Sequence, residues 1–129
     1  SKGFHMGFKL LIVDDEQIIL KSYSRLLGLQ LPDISILSAK NGIEGLGLIR
    51  SEQPNLILLD LAMPEMNGFE VLAQMQKDKI IIPTIVMTAF DTQDNIELAR
   101  IISQNDYIQV LRKPVEIPVL LKKISEVMG

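Results

Sequence analysis

Cysteine is absent from the 129 residues. That excludes a disulfide framework and thiolate chemistry, leaves oxygen ligands for any metal, and fits a reducing cytoplasm. No apolar run approaches the roughly 20 residues of a membrane helix. The longest, from Lys79 to Met87, is interrupted by Pro83 and Thr84. Lys and Arg form no cluster and the formal net charge is −3, so nucleic acid is not the expected direct ligand, because that binding rests on a basic patch. Repeats, low-complexity tracts and inter-domain linkers are also missing. What is there, 47% hydrophobic and 22% charged residues, is the mixture of one globular domain. Residues 1–5 have no periodicity, and Gly3-Phe4-His5-Met6 resembles an expression scar; residues 6–129 are expected to form the domain.

Four short apolar runs each end on a residue suited to phosphate or metal. Leu11-Ile12-Val13 meets Asp14-Asp15, and Leu56-Ile57-Leu58-Leu59 meets Asp60. Ile85-Val86-Met87 meets Thr88, and Val110-Leu111 leads through Arg112 to Lys113-Pro114. Such runs, bounded by polar or turn residues, read as buried parallel strands. Amphipathic stretches lie between them, so the chain is expected to be α/β, built from βαβ units.

The expected strands are Lys9 to Val13, Ile34 to Ser38, Leu56 to Leu59, Thr84 to Met87 and Tyr107 to Leu111. Helix one is expected from Glu16 to Leu27, with Ile18, Ile19, Tyr23, Leu26 and Leu27 inward and Gly28 as its C-cap. Asn41-Gly42 opens helix two, with Ile43, Leu46 and Ile49 inward, and Asn67 caps a third helix reaching Lys77. Helix four is expected from Thr92 to Ile102, with Asp91, Asp94 and Glu97 near its start. Helix five runs from Glu116 or Ile117 to Val127, with Pro118 in its first turn. Right-handed crossovers limit the topologies, and placing the acids of strands one and three in one crevice favours a doubly wound, five-stranded parallel sheet of order 2-1-3-4-5 with helices on both faces, a flavodoxin-like (βα)5 fold. Its switch point lies beside Asp14, Asp15 and Asp60.

Singly, Asp14 and Asp15 serve as helix caps and Asp60 as a turn residue. Together, three carboxylates at one crevice repel one another unless a cation sits among them, and they are hard ligands of the kind Mg²⁺ takes. Lys113 alone is a turn residue. Beside Asp60 it is an ammonium within reach of a phosphoryl oxygen, and a cis bond to Pro114 is accessible. Thr88 alone ends a strand; its hydroxyl can also donate to phosphate. Pro64 and Gly68 read simply as turn residues.

The stretches Ile12 to Glu16, Leu58 to Gly68, Met87-Thr88-Ala89 and Lys113-Pro114, in this order and spacing, resemble the receiver domain of two-component response regulators, from Phe8 to about Val127. The resemblance implies that Asp60 is the phosphoacceptor. It also implies that Asp14, Asp15, Asp60 and the Ala62 backbone carbonyl hold Mg²⁺, and that Thr88 and Lys113 contact the phosphoryl oxygens. The donor would be a phosphohistidine on a sensor kinase or phosphotransfer protein. The output would pass to an effector domain or target protein through helix four, strand five and helix five, a face that also supports homodimers on phosphorylation. Ile101, Ile102 and Leu121 are candidate contacts there, or simple core residues. Such a module is cytoplasmic and catalyses its own phosphorylation and dephosphorylation, with no separate turnover substrate.

One departure matters. The family usually carries Tyr or Phe three residues before the Lys, a position held here by Val110; the nearest aromatics are Tyr107 and Phe90. Phosphorylation is therefore expected to act through the loop after strand four and helix four without a rotating ring. Ala62 and Phe90 stand at positions that set water's access to an acyl phosphate. A phosphatase with an Asp nucleophile is the competing enzymatic reading, but it needs an acid where Ala62 stands. A binding module that has lost phosphorylation is disfavoured by the intact acids, Thr88 and Lys113.

Overall fold

A computed structural model of the chain describes residues 7–89 and 95–129. Five strands, β1 (Lys9–Val13), β2 (Ser35–Ala39), β3 (Leu56–Asp60), β4 (Thr84–Thr88) and β5 (Ile108–Arg112), form one parallel sheet of order β2-β1-β3-β4-β5. Five helices alternate with them: α1 (Gln17–Gln30), α2 (Gly42–Glu52), α3 (Gly68–Lys77), α4 (Ile96–Gln104) and α5 (Ile117–Met128). The order is the expected flavodoxin-like one.

Side-chain alternation along the strands divides the core in two. Leu11, Val13, Ile57 and Leu59 pack with Leu46 of α2, Val71 of α3 and Leu98 of α4. Leu10, Ile12, Leu56 and Leu58 pack on the opposite face with Leu20 and Leu27 of α1 and Leu120 and Ile124 of α5. Every residue of β3 and β4 is buried, which is why both read as continuous apolar runs. Burying each such leucine or isoleucine contributes at most about 2–3 kcal/mol.

The helix starts follow their capping chemistry. Asn41 Oδ1 accepts from the Glu44 N–H at 2.7 Å. Asn67 and Glu70 form a reciprocal capping box, each side chain accepting from the other's backbone N–H at 3.0 Å. Asn95 caps α4 by accepting from the Leu98 N–H. The expected start of helix four at Thr92, together with Asp91, Asp94 and Phe90, lies outside the described residues, as do residues 1–5.

Helix one differs from expectation. Gly28 lies inside α1, which continues to Gln30 with Leu31 as its C-cap. A Cβ at Gly28 would meet Ile36 at an ordinary contact distance of 3.8 Å, so the helix does not need a glycine there. The buried positions are Leu20 and Leu27, two turns apart; Ile18 is 80% exposed, Leu26 is also outward, and Ile43 of α2 is 61% exposed rather than inward. An apolar residue one position off the buried stripe points about 100° away from it.

Candidate functional site

Register brings the acids together. Val13 pairs with Leu59 between β1 and β3, so the next residues along, Asp14 and Asp60, lie side by side at the carboxyl edge of the sheet. Asp60 in turn pairs with Met87 on β4, and Thr88 pairs with Arg112 on β5. The Lys113 N–H donates to the Thr88 carbonyl at 2.8 Å, continuing that ladder one step beyond the strand. Four strand ends therefore converge where an open parallel sheet offers its crevice.

Carboxylate oxygens of Asp14, Asp15 and Asp60 all lie within 4.8 Å of one another. Asp14 and Asp60 are buried and Asp15 is half-buried. The Lys113 Nζ reaches Asp60 Oδ1 at 3.1 Å, and the Ala62 N–H donates to the same oxygen at 3.2 Å. Thr88 is buried beside this pair at the end of β4. Ala62 itself is exposed on the loop after β3. The Lys113–Pro114 peptide bond is cis.

Electrostatics at the site are unbalanced. Three carboxylates face one ammonium, which leaves two net negative charges when all are ionised. Burial pushes the Asp14 carboxyl up to about 6, against a lowering hydrogen bond from the Glu16 N–H and with the charge of Asp60 adding to the rise. Burial likewise lifts Asp60 above its ordinary range and outweighs the pull of Lys113 and the Ala62 N–H. Burial alone would lower the Lys113 ammonium, but its bond and attraction to Asp60 leave it net raised. Asp14 Oδ2 is buried with no hydrogen-bond partner. A buried carboxylate oxygen with no protein donor, in a group of carboxylates this close together, suits a hard cation, so the donor set fits a divalent metal.

The loop from Leu61 to Asn67 closes this side of the crevice. Pro64 precedes Glu65, which takes a left-handed φ of 61°, and the Gly68 N–H donates to the Leu61 carbonyl. A Cβ on Gly68 would sit 2.7 Å from the Asp60 carbonyl oxygen and from Leu61 Cα. Gly68 is thus more than a turn residue: it lets α3 begin directly against the backbone that carries Asp60. Gly42 does the same for α2, since a Cβ there would overlap the Met66 carbonyl oxygen. The capping residues ahead of both glycines are readable in the sequence, but the close approach is tertiary and leaves no local signal.

Residues 10–125 match the family model described as the response regulator receiver domain. The chain belongs to that family. This receiver domain is 34% identical over 123 residues to the protein PilH of Pseudomonas aeruginosa, covering 94% of this chain and 98% of PilH. It is 30% identical to the alkaline phosphatase synthesis transcriptional regulatory protein PhoP of Bacillus subtilis, covering 92% of this chain but 49% of PhoP. The crystal structure of a CheY-like receiver domain protein from Methanospirillum hungatei superposes with a TM-score of 0.80 at 30% identity, covering 94% of this chain and 93% of that one. The receiver module thus makes up nearly all of one relative and about half of another.

On the face expected to meet partners, Ile101 and Ile102 pack against the core under α4 and Leu121 against the core under α5. The outward apolar side chains of these two helices are instead Ile96, 86% exposed, and Val119. Val110 and Tyr107 both pack against the α4-side core. Among the described residues, no helix is long and apolar enough to cross a membrane.

Proposed function

We propose that this receiver domain is a cytoplasmic, phosphorylation-controlled switch that takes a phosphoryl group on Asp60 from a phosphohistidine of a sensor kinase or phosphotransfer protein. The observation that carries the reading is the meeting of Asp14, Asp15 and Asp60 oxygens within 4.8 Å, with Lys113 already on Asp60. With Oδ1 engaged by Lys113 and Ala62, Oδ2 is the oxygen that forms the new bond to phosphorus as the bond to the imidazole nitrogen breaks. The product is an acyl phosphate, and the electron pair leaves with the histidine ring.

Asp14, Asp15, Asp60 and the Ala62 carbonyl would hold Mg²⁺, which when bound neutralises charge on the phosphoryl oxygens. Lys113 shares that task from the other side, and the Thr88 hydroxyl donates to an oxygen of the transferred group. Added charge of about −1.5 to −2 then biases the loop after β4 and α4. The effector domain, target or second copy that reads the change would dock on α4, β5 and α5, where Ile96 and Val119 supply apolar contact. No turnover substrate is required.

Incubation with acetyl phosphate and Mg²⁺ followed by intact-mass measurement tests the assignment. One phosphoryl group should appear on the wild type and none on Asp60→Asn. Uptake that persists in the mutant rejects Asp60 as the acceptor.

A further inference from the structure

We propose that Tyr23 is a positioning residue for phosphoryl transfer, fastening the segment after β5 so that Lys113 stays on Asp60; this rests on the function proposed above. The Tyr23 hydroxyl donates to the Val115 carbonyl at 3.4 Å, joining residues 92 positions apart in sequence. The segment from Lys113 to Glu116 has no helix or strand of its own. Its start is pinned by the Lys113 N–H to Thr88, and its middle by Tyr23. Tyr23, Ile19, Pro114 and Val115 together line a cleft of about 460 Å³ that opens beside Lys113. Solvent therefore reaches this side of the segment, and packing alone does not close it.

The chain's geometry explains why the tether matters. Lys113 holds Asp60 through a four-carbon stem that is flexible by itself. The ammonium is placed only as well as its Cα is placed, and a shift near 1 Å in reacting groups is costly in rate. Tyr23 sits on the half-buried side of α1, with its ring against the α1–α5 core. Its hydroxyl thus ties a rigid helix to the one segment that carries the site's cation. The Tyr23 hydroxyl bonds the Val115 carbonyl, while Asp60 is bonded by Lys113 and Ala62, so Tyr23 acts through Lys113.

The test is Tyr23→Phe, which keeps the ring and removes the hydroxyl. Phosphorylation by acetyl phosphate at saturating Mg²⁺ should slow by about twofold to fivefold, the upper figure being the worth of one ordinary hydrogen bond and the lower reflecting the 3.4 Å length of this one. In a Lys113→Ala background the same change should cost nothing further, because its effect passes through the lysine. Carbon-13 relaxation at Lys113 Cε, read without phosphate, should show a looser side chain in Tyr23→Phe. An unaltered Lys113 order parameter, or rate losses that simply multiply in the double variant, overturns the role of Tyr23. If the wild type takes up no phosphoryl group, the proposed function falls, and the relaxation measurement decides the tether by itself.

Discussion

At the scale of single residues, the site gathers buried charge with few protein donors to meet it. Asp14 Oδ2 is buried and receives no hydrogen bond from the protein among the described residues. Because the folded-state pKa of Asp14 is raised from 3.8 to about 6, the native state binds its proton more tightly than the unfolded chain does. Its contribution to metal-free stability is fully present below about pH 4 and is lost as pH rises through about 6. Asp60, also raised, acts in the same direction. Asp14→Asn removes that buried charge, so the metal-free variant should be more stable at pH 7.5 by about 1–2 kcal/mol in urea unfolding. A destabilised variant would show that the carboxylate is well solvated. If Asp14 holds Mg²⁺ as proposed, protons and the ion compete for it, and the same pKa sets the pH at which acid displaces the metal. Mg²⁺ affinity measured by titration calorimetry should be about tenfold weaker at pH 5 than at pH 7.5, and a flat profile would exclude Asp14 as a ligand. The acids, Thr88 and Lys113 are legible in the sequence because each ends a short apolar run. Tyr23 is not: on the sequence it is one more apolar position of an amphipathic helix, and its hydrogen bond lies 92 residues away.

At the scale of elements, what can be read from sequence is local and what cannot is tertiary. Asn41 and Asn67 announce their helices because a cap needs only residues three positions on. The end of α1 is not legible, because a glycine followed by a solvent-facing turn looks the same whether the helix stops or continues to Gln30. Glycines show the same division between local cost and long-range need. Gly47 lies mid-helix with nothing within 4 Å of where a Cβ would sit. Gly47→Ala should therefore raise stability by about 0.5–1 kcal/mol, the ordinary gain of alanine over glycine in a helix. Gly68 is the opposite case, with the Asp60 carbonyl and Leu61 Cα at 2.7 Å. Gly68→Ala should lower stability by about 1–3 kcal/mol and, on the function proposed above, should also slow phosphorylation, since the backbone that must yield carries Asp60. Thermal unfolding of the two variants side by side tests both. Equal shifts would mean that α3 does not press against the end of β3.

At the scale of the whole molecule, the two cores and the acidic crevice are one arrangement seen from different sides. Alternating leucines on β1 and β3 seat α1 and α5 on one face and α2, α3 and α4 on the other. The same pairing, Val13 beside Leu59, forces Asp14 against Asp60. The parallel α/β plan is legible from the alternation of runs, but the strand order is legible only once Asp14, Asp15 and Asp60 are placed at one crevice, because crossovers alone leave several orders open. The register that sets Asp14 beside Asp60 is tertiary, since no local feature links residues 14 and 60. It also follows that the acidic cluster exists only in the folded chain, because its carboxylates come from strands separated by a helix, a strand and another helix. A ligand confined to the native state stabilises it by mass action, by about 2.7 kcal/mol at a hundredfold excess over its dissociation constant. Added Mg²⁺ should thus raise the unfolding midpoint in proportion to the logarithm of its concentration, and Asp14→Asn should abolish most of that rise. Sodium chloride at matched ionic strength should not reproduce it, because screening relieves exposed charges far more than buried ones. A midpoint that climbs equally with either salt would show that the three carboxylates are eased by ionic strength alone and hold no cation of their own.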